Sequence, residues 1–101
     1  MSDQILDEKT VYDPGQWVTE IGRELSFEEI THKVGELIVM DKSTESRHWY
    51  QVVQVERIVE VEGTRRLVYY DGKRQRGYVG EYFFPPIYKG RFPARAFEIM
   101  K

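Results

Sequence analysis

Apolar and polar positions change their spacing several times along this chain, and each change marks an element. Phe27, Ile30 and Val34 recur at helical spacing on one face, which predicts a short helix over 27–34. Its start is written in Ser26-Phe27-Glu28-Glu29, where Ser26 caps the amide three residues on and Glu29 reaches back to the Ser26 amide. Leu25 and Ile30 are spaced as a hydrophobic staple. His32 and Lys33 fall in the last turn, where positive charge suits the helix dipole, and Gly35 ends the helix. A helix this short is marginal alone and must dock its apolar face on something else.

The remaining patterns are strand-like. Leu37 to Met40 is an apolar run bounded by Gly35 and Asp41, read as a buried strand, and 42–47 is a polar loop. Trp49 to Val61 follows. Straight, it would span roughly 43 Å at about 3.3 Å per residue, too long for so small a domain. Val53, Val55, Val59 and Val61 alternate onto one face and Tyr50, Val52 and Ile58 onto the other, but Arg57 interrupts the pattern. The strand is therefore expected to bend near Glu56-Arg57. Glu62-Gly63 turns the chain into Thr64 to Tyr70, and Asp71-Gly72 is a two-residue type I′ signal leading into Lys73 to Val79. Glu81 to Phe84 is a further strand, stopped by Pro85-Pro86, and Lys89-Gly90 marks a turn. A short element over 94–100 closes the chain. Near the start, Asp13-Pro14-Gly15 is a turn, and 16–21 reads equally as a strand or a helical turn.

Closely spaced strands, one short helix and no βαβ rhythm place the chain in the mostly-β class. The first expectation is a small, strongly curved antiparallel sheet, an SH3-like or Tudor-like barrel with one short helix; a helix packed on an open meander is the second. With 101 residues there is room for one domain, over 13–101, preceded by a flexible tail at 1–12.

Composition narrows the chemistry. There is no cysteine, which removes disulfides, thiolate catalysis and cysteine-type zinc sites and fits a cytoplasmic protein. The first ten residues carry three acids and no apolar run, so no signal peptide is expected, nor any membrane partner. The only histidines, His32 and His48, lie in different elements, and no nucleophile elbow, phosphate loop, metalloprotease or calcium motif occurs. No catalytic residue, metal or cofactor is expected, and the chain reads as a binding module rather than an enzyme. Charge is polarised: residues 1–46 hold 11 acids and 4 bases, residues 47–101 hold 6 acids and 11 bases. Such asymmetry either steers a charged partner or lets the two halves pair with each other.

The candidate partner site is the second hairpin. In the type I′ register Tyr70 faces Lys73, and Arg65, Leu67, Tyr69, Arg74, Arg76 and Tyr78 share a face. The arginine forks of Arg65, Arg74 and Arg76 and the rings of Tyr69 and Tyr78 suit an acidic protein surface or nucleic acid. Alternatively, these arginines are a solvated outer face with stems packed along the tyrosines. The overall acidic balance weighs against nucleic acid and puts a protein partner first.

The order Leu25-Ser26-Phe27-Glu28-Glu29-Ile30, Gly35, Leu37-Ile38-Val39-Met40 and then Trp49 resembles small phage and mobile-element accessory proteins of Gram-positive bacteria. The ending Tyr88-Lys89-Gly90-Arg91-Phe92-Pro93-Ala94 departs from that group, whose tyrosine-glycine-lysine order is scrambled here and interrupted by a proline. The resemblance implies an accessory protein with an SH3-like fold that acts by binding a host protein, anti-CRISPR inhibitors being one such class. It transfers no functional residue.

Overall fold

Backbone pairing begins where apolar alternation begins. A computed structural model of the chain describes residues 11–73, 76–85 and 93–100. Among these residues seven strands occur in the order β1 (Trp17–Val18), β2 (Ile21–Leu25), β3 (Leu37–Asp41), β4 (Tyr50–Val61), β5 (Thr64–Tyr70), β6 (Arg76–Gly80) and β7 (Ala96–Ile99), with one α-helix, α1 (Phe27–Thr31), between β2 and β3. All pairings are antiparallel, and the spatial order is β2-β7-β3-β4-β5-β6. The sheet is mostly-β and antiparallel as expected, but it is open: no pairing joins β2 to β6 among the described residues, and the expected barrel closure is absent from this sheet. No helix among the described residues is long and apolar enough to cross a membrane.

The segment left open by the sequence, 16–21, holds the short strand β1 and the first residue of β2, a strand the alternation did not mark. β1 pairs with β4 as Trp17↔Gln51 and Val18↔Tyr50, and β2 pairs with β7. The closing element is a central strand, with β7 inserted between β2 and β3. The stretch expected as a strand at Glu81 to Phe84 is instead a 3-10 turn over Glu81–Phe83, because Phe84 turns inward, 2% exposed, with its ring edge-on to Phe27 at 5.3 Å. Pro86, Lys89 and Gly90 lie outside the described residues.

Because the sheet is open, both its sides need cover. On the inner side α1 lays Phe27 and Ile30 over Ile38, Met40, Val53 and Leu67. Each such fully buried aliphatic chain contributes roughly 1.5–3 kcal/mol. On the other side Val39, Val52 and Phe97 pack with Tyr12, Val18 and Ile21. Tyr12, at the expected junction of tail and domain, also donates its hydroxyl to the Met100 carbonyl at 3.0 Å.

The helix start is as written in the sequence. Ser26 Oγ accepts from the Glu29 amide at 3.1 Å, and Glu29 Oε1 accepts from the Ser26 amide at 2.8 Å. The helix ends earlier than expected, with His32 as its C-cap, and Val34 is 53% exposed rather than on the apolar face. Tertiary backbone bonds win over another turn: the Gly35 amide donates to the Val55 carbonyl at 2.7 Å, and the Val55 amide donates to Glu36 at 2.9 Å. Gly35 reaches that geometry with φ at 90°.

Strand β4 is irregular where Arg57 broke the alternation. Its pairing with β5 slips between Val55 and Arg57, which leaves Glu56 as the extra residue of a β-bulge. An extra residue reverses the parity of everything beyond it. Val53, Val55 and Ile58 therefore face the inner core, whereas Val59 and Val61 face the opposite side, correcting the expectation that the four valines share a face.

Two glycines close the seam between β1 and β5. Both segments use the same edge of β4, and they meet end to end: the Gly15 amide donates to Val52 at 2.6 Å, the Val52 amide donates to Gln16 at 2.8 Å, and Tyr70 pairs with Gln54 just beyond. A Cβ at Gly72, whose φ is 88°, would collide with the Pro14 carbonyl oxygen; one at Gly15 would lie 2.5 Å from the Asp71 oxygen. Gly72→Val is thus expected to destabilise by on the order of 2 kcal/mol through positive φ and backbone collision together, read as a lower urea midpoint. Gly63→Asn is the contrast, with open space around its Cβ position, and should shift the midpoint little. Ser26→Ala should cost on the order of 1 kcal/mol. Glu29→Gln should flatten the acid limb of the stability curve. The Ser26 amide, then Arg23, hold the Glu29 carboxyl below its ordinary value. A depressed carboxyl adds stability at neutral pH that is lost as pH falls through its folded pKa. Melting temperatures of parent and variant below the ordinary glutamate range check this.

Candidate binding face

The turn chemistry of the two hairpins decides which side chains stand together. Glu62 and Gly63 have φ of 54° and 81°, the positive pair a type I′ turn requires, and Val61 faces Thr64 across it. The second connection is longer than its Asp71-Gly72 signal suggests. Asp71 Oδ1 accepts from the Lys73 amide at 3.1 Å, an Asx turn, and Gly72 is held against Pro14 and Gly15 at the seam. The chain rejoins the sheet only at Arg76, so Tyr70 faces Arg76 and not Lys73. That shift of three residues is odd and turns every β6 side chain onto the other face.

The expected cluster is consequently split. Arg65 and Tyr69 are on the inner face, Arg76 and Tyr78 on the outer face, and Arg74 lies outside the described residues. Tyr69 is a core residue, 6% exposed: its ring lies across Gly77, and its hydroxyl accepts from Lys42 Nζ at 2.7 Å. Arg65 is an internal clamp. Its guanidinium bonds Glu81 at 2.7 Å and Glu28 at 3.1 Å and sits 5.3 Å from the Phe27 ring centre, tying β5 to α1 and the 3-10 turn. Glu81 first, then Glu28, raise its pKa.

The outer face of β4, β5 and β6 carries Arg57, Val59, Arg66, Val68, Tyr70, Arg76 and Tyr78. Tyr78 is 62% exposed, while Val68, flanked by Arg57 and Tyr78 on the neighbouring strands, is fully buried. Arg76 is oriented by the bulge residue, bonding Glu56 at 2.6 Å with its guanidinium 6.0 Å from the Tyr70 ring centre. Arg76 first, and Arg57 more weakly, hold the Glu56 carboxyl low. Arg57 and Arg66 are exposed, and neither makes an ion pair with a described acid. Sequence reasoning named none of Arg57, Arg66 and Tyr70 among the candidate site residues. The signal for Arg57 was its interruption of the alternation, since a bulge at that point turns it outward.

Elsewhere the charge asymmetry is partly satisfied within the fold. Arg65–Glu28, Arg23–Glu98 at 3.3 Å and Arg95–Glu24 at 3.7 Å join the acidic and basic halves. A second aromatic group, Trp17 edge-on to Trp49 at 5.4 Å with Arg47 5.3 Å from the Trp49 ring centre, lies near the start of β4. His32 lies 3.6 Å from Glu28, and His48 is exposed. No group of three or more histidines and carboxylates able to hold a metal occurs among the described residues.

Comparisons with protein-family models, curated proteins and solved structures give no match to this chain. The two faces of the hairpin are separable by substitution. Arg65→Ala is expected to lower the melting temperature, because Glu28 and Glu81 lose their shared partner and Phe27 its cover, whereas Arg66→Ala should leave it unchanged. Thermal melts of the two variants beside the parent check the assignment.

Proposed function

We propose that the chain is a non-catalytic binding module that docks on an acidic protein surface through the outer face of β4–β6. The reading is that of an accessory protein of a phage or mobile element, acting as the resemblance in its sequence implies by occupying a host protein, an inhibitor of a defence system being one such role. The observation that carries it is the grouping of Tyr70 and Tyr78 with Arg57, Arg66 and Arg76 on one side of the sheet, where Tyr78 and the three arginines are exposed. Tyrosine offers contact area with few rotatable bonds, and arginine offers a planar fork for carboxylates. The three arginines outnumber the single acid among them, Glu56, so the face is net positive on a chain that is acidic as a whole. Electrostatic steering toward an acidic partner follows, and repulsion of the acidic remainder fixes orientation.

The test is an Arg57→Glu/Arg66→Glu variant, chosen because these two arginines are outside the ion pairs that hold the fold together. Affinity capture from bacterial lysate should retain an acidic protein on the parent and lose it on the variant, with both melting alike. Equal capture by both would remove this face from the reading. Salt-sensitive binding of DNA or RNA by the parent, abolished in the variant, would assign the face to nucleic acid instead.

A further inference from the structure

The two outer strands of the sheet present different edges. β2 is blunted: its register slips between Ile21 and Glu24, and Arg23 on it is held by Glu29 at 2.9 Å and Glu98 at 3.3 Å. Bulges and charged side chains are how sheets deny their edges to further strands. β6 has neither device in its interior. It pairs with β5 without a shift from Arg66↔Gly80 to Tyr70↔Arg76, its middle residues Gly77, Tyr78 and Val79 are uncharged, and no described strand pairs with its outer edge.

We propose that this edge takes the β6 strand of a second copy of the chain, antiparallel, with Tyr78 on the two-fold axis. The self-register selects that occupant. Centred on Tyr78, it sets Arg76 opposite the second copy's Gly80, Gly77 opposite the second copy's Val79, and the two tyrosines opposite each other. Arg76 and Val79 each stand opposite a glycine, Gly80 with the Tyr82 ring beside it and Gly77 with the Tyr69 ring across it, and the axial pair is aromatic, a favourable cross-strand combination. No like charges are directly opposed. The two Arg76 residues stand about 14 Å apart along the strands, and each is already paired with its own Glu56 at 2.6 Å. The edge is only five residues long, so the area falls short of the ~1,200 Å² of a stable complex, and the dimer is weak and concentration-dependent. It joins two Arg/Tyr faces into one continuous surface, yet it requires no partner and stands whether or not the proposed docking holds.

Sedimentation velocity on the full chain, from low to high concentration, tests it. The parent should pass from monomer to dimer. Tyr78→Lys and Tyr78→Glu should each stay monomeric, because like charges then meet at the axis. An equimolar mixture of the two should recover the dimer, which also shows that both are folded. A parent that stays monomeric at every concentration overturns the proposal. Variants that dimerise like the parent, or a mixture that remains monomeric, overturn it equally.

Discussion

The edge of β4 shared end to end by β1 and β5 is the constraint on which the rest of this structure depends. One side of β4 is taken by β3; the other is divided, with β1 on Tyr50 and Gln51 and β5 from Gln54 onward. The two backbones approach so closely at this junction that a Cβ on either Gly15 or Gly72 would strike the other segment's carbonyl oxygen. The seam fixes where β5 must stop. It therefore fixes the length of the following loop, the register of β6 and the set of side chains on each face.

Glu56 has the complementary role on the same strand. As the extra residue of the bulge it reverses the parity of β4, sending Arg57 and Val59 outward and keeping Ile58 in the core. Its carboxylate then bonds Arg76 on the far side of β5 and orients that guanidinium beside Tyr70. A single irregularity thus curves the sheet locally and furnishes an ordered part of the candidate binding face. Placing such a face on a sheet rather than on a loop gives its side chains a rigid base.

The charge distribution has two uses. Arg65 and Arg95 draw Glu28 and Glu24 of the first half of the chain against strands of the second, Arg23 of the first half reaches Glu98 of the second, and these pairs are exposed enough that each is worth little singly. Their larger effect is geometric, since Arg65 also covers Phe27 and so pins the short helix to the sheet. Arg57 and Arg66, which make no ion pair with a described acid, both lie on the outer face. The basic half of the sequence thus contributes to both the fold and the candidate docking surface, divided by which way each strand residue points.

Local chemistry was legible in the sequence wherever neighbouring residues settle it: the capping box at Ser26 and Glu29, the buried strand at Leu37, the tight turn at Glu62-Gly63, and the irregularity where Arg57 breaks the alternation. The candidate site was only half legible. Its composition of arginine and tyrosine was visible, but Asp71-Gly72 reads as a two-residue turn by itself and becomes a longer loop because Pro14-Gly15, distant in sequence, abuts it. Tyr69 and Arg65 looked identical in kind to Tyr78 and Arg76, and only the register decided that the first pair stabilises the core while the second faces solvent. The position of β7 between β2 and β3 was likewise beyond a local reading, since any of several strand orders satisfies the same alternation. By itself the sequence determined most of the strands, the start and N-cap of the helix and one turn, because those depend on contacts a few residues apart. Strand order, register and the identity of the exposed face were decided by the tertiary structure, because they depend on which backbones compete for the same edge of β4.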